Sequence, residues 1–452
     1  MKKITVAIVA LLITCSISSC KKYLDAKPNK QLMVPSTVED LQALLDDYKT
    51  VNESDPAAAE MSSDNYYLTD PDWNSLSEDQ RRLYTWEPDR VFPLWPNQWS
   101  YAYEPVFVAN TVLDNYAKVE MLSKDLAGLH NVKGQALFHR AKAFAHIAFV
   151  WAPAYDEATA NTDLGIPLRL TSDFNEPSVR ASVTETYNRI IADLKEAIQL
   201  LPVSQVTVLR PSKAAAYGLL SRVYVAMRRY EEAGRYADSA LQLNNVLLDY
   251  NTVNANLARP FARFNKEVVM DTYAGNFPAL SNNRAKIDSL LYASYAVNDL
   301  RRTTFFRSNN DGSYGFKGTY SGGTAGFTGI ANDEIYLIRA ECHARAGRVT
   351  EAMQDLNTLL RTRWKANSFV PFTASGSAEA LAIILQERRK ELLYRGLRWI
   401  DLKRLNKEGA AITLKRIVNN GTVYTLSPND RRYAVALPED LLQISGMPQN
   451  PR

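Results

Sequence analysis

Cysteine and histidine are scarce in this chain. Among 452 residues there are three cysteines and four histidines. That leaves no disulfide framework and little material for a zinc site. His139 and His146 stand seven apart on one face of a helical pattern. No H-E-x-x-H and no carboxylate set at metal spacing accompanies them, so they read as core or helix-surface residues. Charge of one sign is lacking too. There are 53 Lys+Arg against 49 Asp+Glu, a formal net charge of +4, and no long block of like charges. A nucleic-acid-binding stripe is therefore not expected. No apolar run is long enough for a transmembrane helix. No G-x-S-x-G and no phosphate-binding G-x-x-x-x-G-K-[ST] occurs, and the glycines from Gly315 to Gly329 neither follow a strand nor open a helix. That stretch is expected to be a flexible aromatic loop. With 49 acids, some pair will stand at glycosidase separation by chance, which is no sign of hydrolysis. No catalytic residue, cofactor or metal ligand is assigned.

What is present is ordinary globular composition, 46% hydrophobic and 23% charged, with 24 Tyr, 15 Phe and 7 Trp. The N-terminus carries an address. Lys2 and Lys3 precede the apolar run Ile4 to Ile13, of signal-peptide length. Ile17-Ser18-Ser19-Cys20 then looks like a bacterial lipobox, so residues 1–19 are expected to be a signal peptide and Cys20 the acylated new N-terminus. Cys15 follows Thr14, a poor cleavage context. Loss of Lys2 and Lys3 takes the net charge from +4 to +2. Cys342 is then the one remaining free thiol, on a helical pattern, and reads as buried and inert.

Helix pairs dominate the rest. Residues 213–243 place Tyr217, Leu220, Ser221, Tyr224, Tyr230, Ala233 and Ala240 at the aromatic, apolar and small positions of a tetratricopeptide repeat. Residues 333–361 resemble the same unit through Tyr336, Ala340, Gly347, Ala352 and Leu356, with Arg339 and His343 departing from it. A third unit, 134–202, reads as split. Leu137, Ala141 and Phe144 mark its first helix, and residues 182–202 its second, opening with a capping pattern and closing at Pro202. The expected fold is mainly α, a right-handed superhelix of tetratricopeptide-like helix pairs. It forms one domain over 20–452, with irregular inserts at about 50–98, 150–181 and 251–330.

QERRKELLYRGLRWIDLKRL (386–405) resembles the signature helix of the RagB/SusD family, through Glu387, Arg388, Arg389, Glu391, Leu392, Gly396, Arg398, Trp399, Asp401, Leu402 and Arg404. The tail 433–452 resembles that family's closing segment, with Leu437-Pro438, Glu439 and Gln449-Asn450-Pro451. YLDAKP (23–28) and PSTVEDLQALLDDY (35–48) resemble its start. Ala434-Val435-Ala436 departs from the commoner proline-isoleucine. Glu387, Arg388, Arg389, Glu391, Arg398 and Asp401 are expected to make charge-assisted pairs that tie the last helix to the repeats, with Trp399 as a core anchor.

The resemblance implies a lipid-anchored protein on the outer face of an outer membrane in Bacteroidetes-type bacteria. It implies binding of oligosaccharide, or in some members peptide, and a lid over a SusC-like TonB-dependent transporter barrel. It implies no enzyme activity, no cofactor and no nucleic-acid partner. The alternative is a helical-repeat scaffold that binds peptide or protein without glycan affinity. A sugar ring offers an apolar C–H face to Trp or Tyr and a hydroxyl edge to Asp, Asn and Arg. Asp64, Asn65, Tyr66, Tyr67, Asp72 and Trp73 supply that mixture in one insert, and Tyr320 and Phe327 a second platform in another. Trp86, Trp95 and Trp99 are assigned mainly to packing.

Overall fold

The computed structural model describes residues 34–452. The expected signal peptide, Cys20 and the YLDAKP segment lie outside the described residues. The longer helices are α1 (Val38–Leu45), α2 (Gln98–Glu120), α3 (Leu126–Trp151), α4 (Val183–Leu200), α5 (Lys213–Ala226), α6 (Tyr230–Leu243), α7 (Asn332–Arg345), α8 (Val349–Arg361), α9 (Ser377–Glu391) and α10 (Arg398–Lys407). From α2 to α8 each packs on the next, the succession of helix pairs read from the repeats.

Local chemistry accounts for the boundaries. α4 opens on a capping box: Ser182 Oγ accepts from the Glu185 N–H (3.1 Å), and the Glu185 carboxylate accepts from the Ser182 N–H (2.7 Å). In the α5–α6 pair, Ala233, Ala237 and Ala240 are fully buried and let the two backbones approach. Tyr224 and Tyr236 stack across the seam, centroids 5.6 Å apart and rings 2° from parallel. Cys342 is buried against Gly234, and burial pushes its thiol up to about 12. Arg339, at odds with the repeat pattern, holds Asp355 of α8 with two bonds (2.8 and 2.7 Å) and Asp238 of α6 (2.7 Å). A guanidinium thus does at one seam what an apolar side chain does elsewhere.

The 386–405 segment is not one helix. α9 ends at Glu391, and Tyr394 and Gly396 take φ of +60° and +70° before α10 begins. Gly396 holds this left-handed position without the strain a Cβ would add. The turn redirects the chain so that both halves bury charge. Arg388 reaches Asp401 (2.9 Å), and Arg404 reaches Asp401 (2.7 Å) and Glu341 of α7 (2.6 and 2.9 Å). Trp399 is fully buried, packs on Tyr433 (4.7 Å) and donates its indole N–H to the Tyr433 carbonyl (3.1 Å). Truncating such an anchor costs roughly 3–5 kcal/mol.

The inserts carry order of their own. The first folds into the short helices Tyr48–Asn52, Ala58–Met61, Asp70–Asn74 and Glu78–Tyr84. The second carries the ribbon Leu164–Pro167 with Arg180–Ser182. The glycine-rich stretch, expected to be a flexible loop, is pinned by strand pairing. Tyr314–Phe316 pairs with Phe306–Ser308, Gly326–Phe327 with Tyr273–Ala274, and Ile330–Ala331 with Val268–Met270. Trp86 and Trp99 are buried as expected. Trp95 is not: its backbone N–H is held by Asp440 (2.6 Å) and its ring faces solvent. Among the described residues, no helix is long and apolar enough to cross a membrane.

Candidate functional site

The 64–74 insert divides into a buried half and a displayed half. Asp64 takes a two-pronged bond from Arg398 (2.7 and 2.9 Å), and the Arg389 guanidinium donates to its carbonyl (2.9 Å). Burial pushes its carboxyl up, but Arg398 and Arg389 outweigh this and hold it well below the usual range. Asn65 is buried and donates to Glu60 (2.9 Å). Asp64 fastens the insert to the 386–405 region directly, and Asn65 braces Glu60, which accepts from the Gly396 N–H (3.1 Å).

Tyr66 and Tyr67 form a two-residue strand against Lys286–Ile287, Tyr66 opposite Ile287 and Tyr67 opposite Lys286. Neighbouring strand residues point to opposite faces. Tyr66 turns inward and donates its hydroxyl to the Met61 carbonyl (2.7 Å); Tyr67 turns outward and is 40% exposed. Thr69 caps the helix Asp70–Asn74, donating its hydroxyl to Asp72 (2.6 Å). Lys286 donates to the same carboxylate (2.8 Å), locking this helix onto the strand. Burial pushes the Asp72 carboxyl up; the Lys286 and Thr69 bonds outweigh it and hold it below its ordinary value. Trp73 is half-buried beneath the Arg81 guanidinium (5.4 Å to the ring centroid), and its buried indole N–H has no partner among the described residues.

Beside Lys286–Ile287 runs the hairpin 306–316. A side chain at Gly315 would put its Cβ 2.9 Å from the Asn282 carbonyl oxygen, so glycine permits this approach. Arg307 closes the seam, donating to the Asn282 carbonyl (2.7 Å) and the Asn283 side chain (3.0 Å). Tyr314 stacks on Tyr292 (3.6 Å, 14°), with Arg302 over the Tyr292 ring (5.2 Å). Asp288 directly follows the strand that pairs with Tyr66–Tyr67, and Asp311 stands at the turn of the 306–316 hairpin. Burial, then the negative charges of these two carboxylates, push the Tyr67 hydroxyl up. One surface brings together Tyr67, Asp72 and Trp73, the paired rings of Tyr292 and Tyr314, and the carboxylates of Asp288 and Asp311, with Lys286 buried beneath it as the tie to Asp72. Flat apolar faces beside hydroxyl-binding groups suit a ring with one C–H face and a polar edge.

Four expected ligand residues face inward and are corrected here as framework. Asn65 and Tyr66 are fixed as described. Tyr320 and Phe327 are fully buried because their segment pairs with Tyr273–Ala274. The Tyr320 and Tyr250 hydroxyls bond to each other (2.7 Å), and Arg395 lies 4.2 Å from the Tyr320 ring centroid and 4.7 Å from that of Phe327. Asp64 is spent on Arg398. Tyr67, Asp72 and Trp73 stay displayed. Sequence reasoning missed Lys286, Asp288 and Asp311, which sit in a polar stretch with no aromatic marker; the cue available was Tyr314, beside the glycines.

Candidate chemistry elsewhere is internally neutralised. Glu267, Asp333 and Glu391 come close enough to surround a metal ion. Arg363 instead holds Glu267 (2.6 Å) and Glu391 (2.7 Å), Arg301 holds Glu391 (2.9 Å), and Arg395 holds Asp333 (2.5 Å). Burial still pushes Glu267 up to about 8. His139 is buried, and burial pushes its imidazole down to about 3. His146 is buried against Asp55 (3.1 Å), a carboxylate also held by Lys142 (2.7 Å) and Thr328 (2.6 Å). That quartet fastens α3 to the inserts.

Two family models match the chain. One, described as "Starch-binding associating with outer membrane", covers residues 22–225, and one, described as "SusD family", covers 299–439. "SusD-like protein P2" of Formosa agariphila is 24% identical over 371 residues, 68% of this chain and 71% of that protein. A SusD superfamily crystal structure from Bacteroides thetaiotaomicron superposes with a TM-score of 0.74 at 20% identity, covering 92% of this chain and 100% of that one. The structure of "Surface glycan-binding protein A" from Bacteroides uniformis does so with 0.69 at 16% identity, covering 92% and 99%.

Proposed function

The chain belongs to the SusD family, and from that premise we propose that it is a lipid-anchored outer-membrane surface protein that binds oligosaccharide and delivers it to a SusC-like TonB-dependent barrel. The observation that carries the glycan reading is the surface of Tyr67, Trp73, Asp72, Asp288 and Asp311 beside the Tyr292–Tyr314 pair. Its aromatic faces cover sugar C–H groups and its charged groups meet the hydroxyls. The family description as starch-binding and outer-membrane associated supports this. The related Bacteroides uniformis protein is titled a surface glycan-binding protein. The chain acts by binding: no group on the displayed surface is assigned a chemical step.

Calorimetric titration against a panel of oligosaccharides and peptides tests the reading. Trp73→Ala and Tyr67→Ala should each weaken glycan binding about tenfold or more, roughly 1.4 kcal/mol. Tyr101→Ala, an exposed aromatic on α2, should leave it unchanged. Binding of peptides alone would favour the scaffold reading. Recovery from solubilised outer membranes without a TonB-dependent barrel would refute the delivery step.

A further inference from the structure

One end of the helical stack displays apolar side chains that nothing among the described residues covers. α2 ends at Glu120 and α3 starts at Leu126; in the turn between them Met121 is 80% exposed and Leu122 70% exposed. Leu126, opening α3, is exposed as well. The loop after α4 returns to the same end: Gln205 donates to Asn131 (2.7 Å), in the second turn of α3, and beside it Val206 is 84% exposed. α1 lies along this end too, through the Gln42–Gln135 bonds (3.2 and 2.9 Å) and a cluster joining Leu41 and Leu45 to Leu129, Val132 and Val119. Exposed Val34, just ahead of α1, begins the described chain here. Lys118, Glu120, Lys124, Asp125 and His130, all exposed, flank these residues along the chain. Water gains nothing from such a knuckle, and a bilayer interface does.

We infer that this end, with Met121 and Leu122 at its tip, rests on the surface of the lipid bilayer. The inference rests on the lipoprotein reading. Thirteen residues lie between Cys20 and Val34. Their fourteen steps, at roughly 3.3–3.6 Å each, reach at most about 50 Å, so the point where the chain enters the fold stays within that distance of the acyl anchor. The candidate glycan surface is built from other segments, 66–73 and 283–314, and does not include this end. Apolar contact beside the anchor adds a second, weak hold and limits the orientations the tether allows.

The test uses the full-length, membrane-processed protein in vesicles in which phosphatidylethanolamine predominates over phosphatidylglycerol. Met121→Cys carries a polarity-sensitive fluorophore; the buried Cys342 thiol does not compete for label. Val297→Cys, exposed in the third insert, is the comparison. The expected result is blue-shifted emission and reduced iodide quenching at residue 121 and neither at residue 297. Leu122→Ser and Val206→Ser together should reverse the shift at 121 without lowering Tm, since both native side chains face solvent. Acylated, vesicle-bound protein with water-like emission at 121 overturns the proposal and leaves the anchor reading standing. A shift that needs a co-reconstituted barrel overturns it in favour of a protein contact. A mature chain lacking acyl mass by mass spectrometry overturns the anchor reading and the proposal together.

Discussion

Replacing Arg301 by methionine should cost more stability than almost any other single change outside the apolar core. Arg301 is fully buried and donates to three acids: Asp299 through Nε (2.9 Å) and a terminal nitrogen (2.7 Å), Glu391 (2.9 Å) and Glu387 (2.5 Å). Methionine fills much of the volume and removes the charge. Lys390 still reaches Glu387 (2.7 Å) and Asp299 (3.3 Å), and Arg363 still reaches Glu391 (2.7 Å), so the acids keep partial compensation. Orphaning a buried partner costs about 3–5 kcal/mol. At about 2.1 cal/mol/K per residue, some 420 folded residues carry an unfolding entropy near 0.9 kcal/mol/K, so Tm should fall by about 3–6 °C. Calorimetry and guanidinium titration both read this. Arg302→Met, on the half-exposed neighbour, should change stability by less than about 0.5 kcal/mol. The sign with pH is fixed. Arg301 helps hold the Asp299 and Glu391 carboxyls below their ordinary values against the upward push of burial. Without the guanidinium both shift up, so the variant's folded state takes up protons at higher pH than the wild-type folded state does. Its deficit should therefore be smallest at low pH and grow as pH rises toward neutrality. Adding Asp299→Asn should recover part of the loss. A deficit below about 1 kcal/mol at neutral pH, or one that grows as pH falls, would refute the reasoning. Arg301 opens the short helix Arg301–Thr304 that leads into the 306–316 hairpin, so weaker glycan binding at unchanged Tyr67 and Trp73 should accompany the lost stability.

Three further outcomes follow from other buried groups. Lys403 donates to the Phe149 and Ala152 carbonyls (2.6 and 2.7 Å), and burial pushes its ammonium down to about 7. Its folded pKa is depressed, so wild-type stability should fall as pH drops from about 10 to 7, and Lys403→Met should flatten that slope in pH-dependent denaturant titrations. Cys342 should resist iodoacetamide at pH 8 in the folded protein and react only in denaturant; labelling of native protein would contradict its placement against Gly234. Gly396→Val should cost about 1–2 kcal/mol by calorimetry, because φ of +70° suits no β-branched residue; an unchanged Tm would argue against this turn.

The repeats were legible because their signals are local. Ser182 and Glu185 announce a helix start within four residues, and Ala233 and Ala240 mark a close seam by size alone. The pairing of Arg388 with Asp401 followed from finding so many charges in a segment that also holds Trp399; the part Arg404 takes in it did not. The break at Gly396 was less visible, since the flanking residues keep helical spacing. The site was legible only by region. Asp64 was expected to meet ligand, yet Arg398 claims it from more than three hundred residues away in the chain. Tyr320 and Phe327 resemble a stacking platform in sequence, and their burial depends on Tyr250, Tyr273 and Arg395, each on a distant segment. Lys286, Asp288 and Asp311 become neighbours of Tyr67 only through strand pairing, which no short window contains.

The two-residue strand at Tyr66–Tyr67 makes the binding face sensitive to chain length rather than composition. Because the faces alternate, one residue inserted between Asp64 and Tyr66 would carry Tyr66 into the outward place and turn Tyr67 toward the interior, unless the turn at Thr69 absorbed the slip. Relatives that differ by a single insertion or deletion here can thus present a new set of side chains to ligand while every repeat helix stays as it is. Ligand preference is then open to change by indels in a short stretch of loop, at a site whose scaffold is held independently by buried arginines.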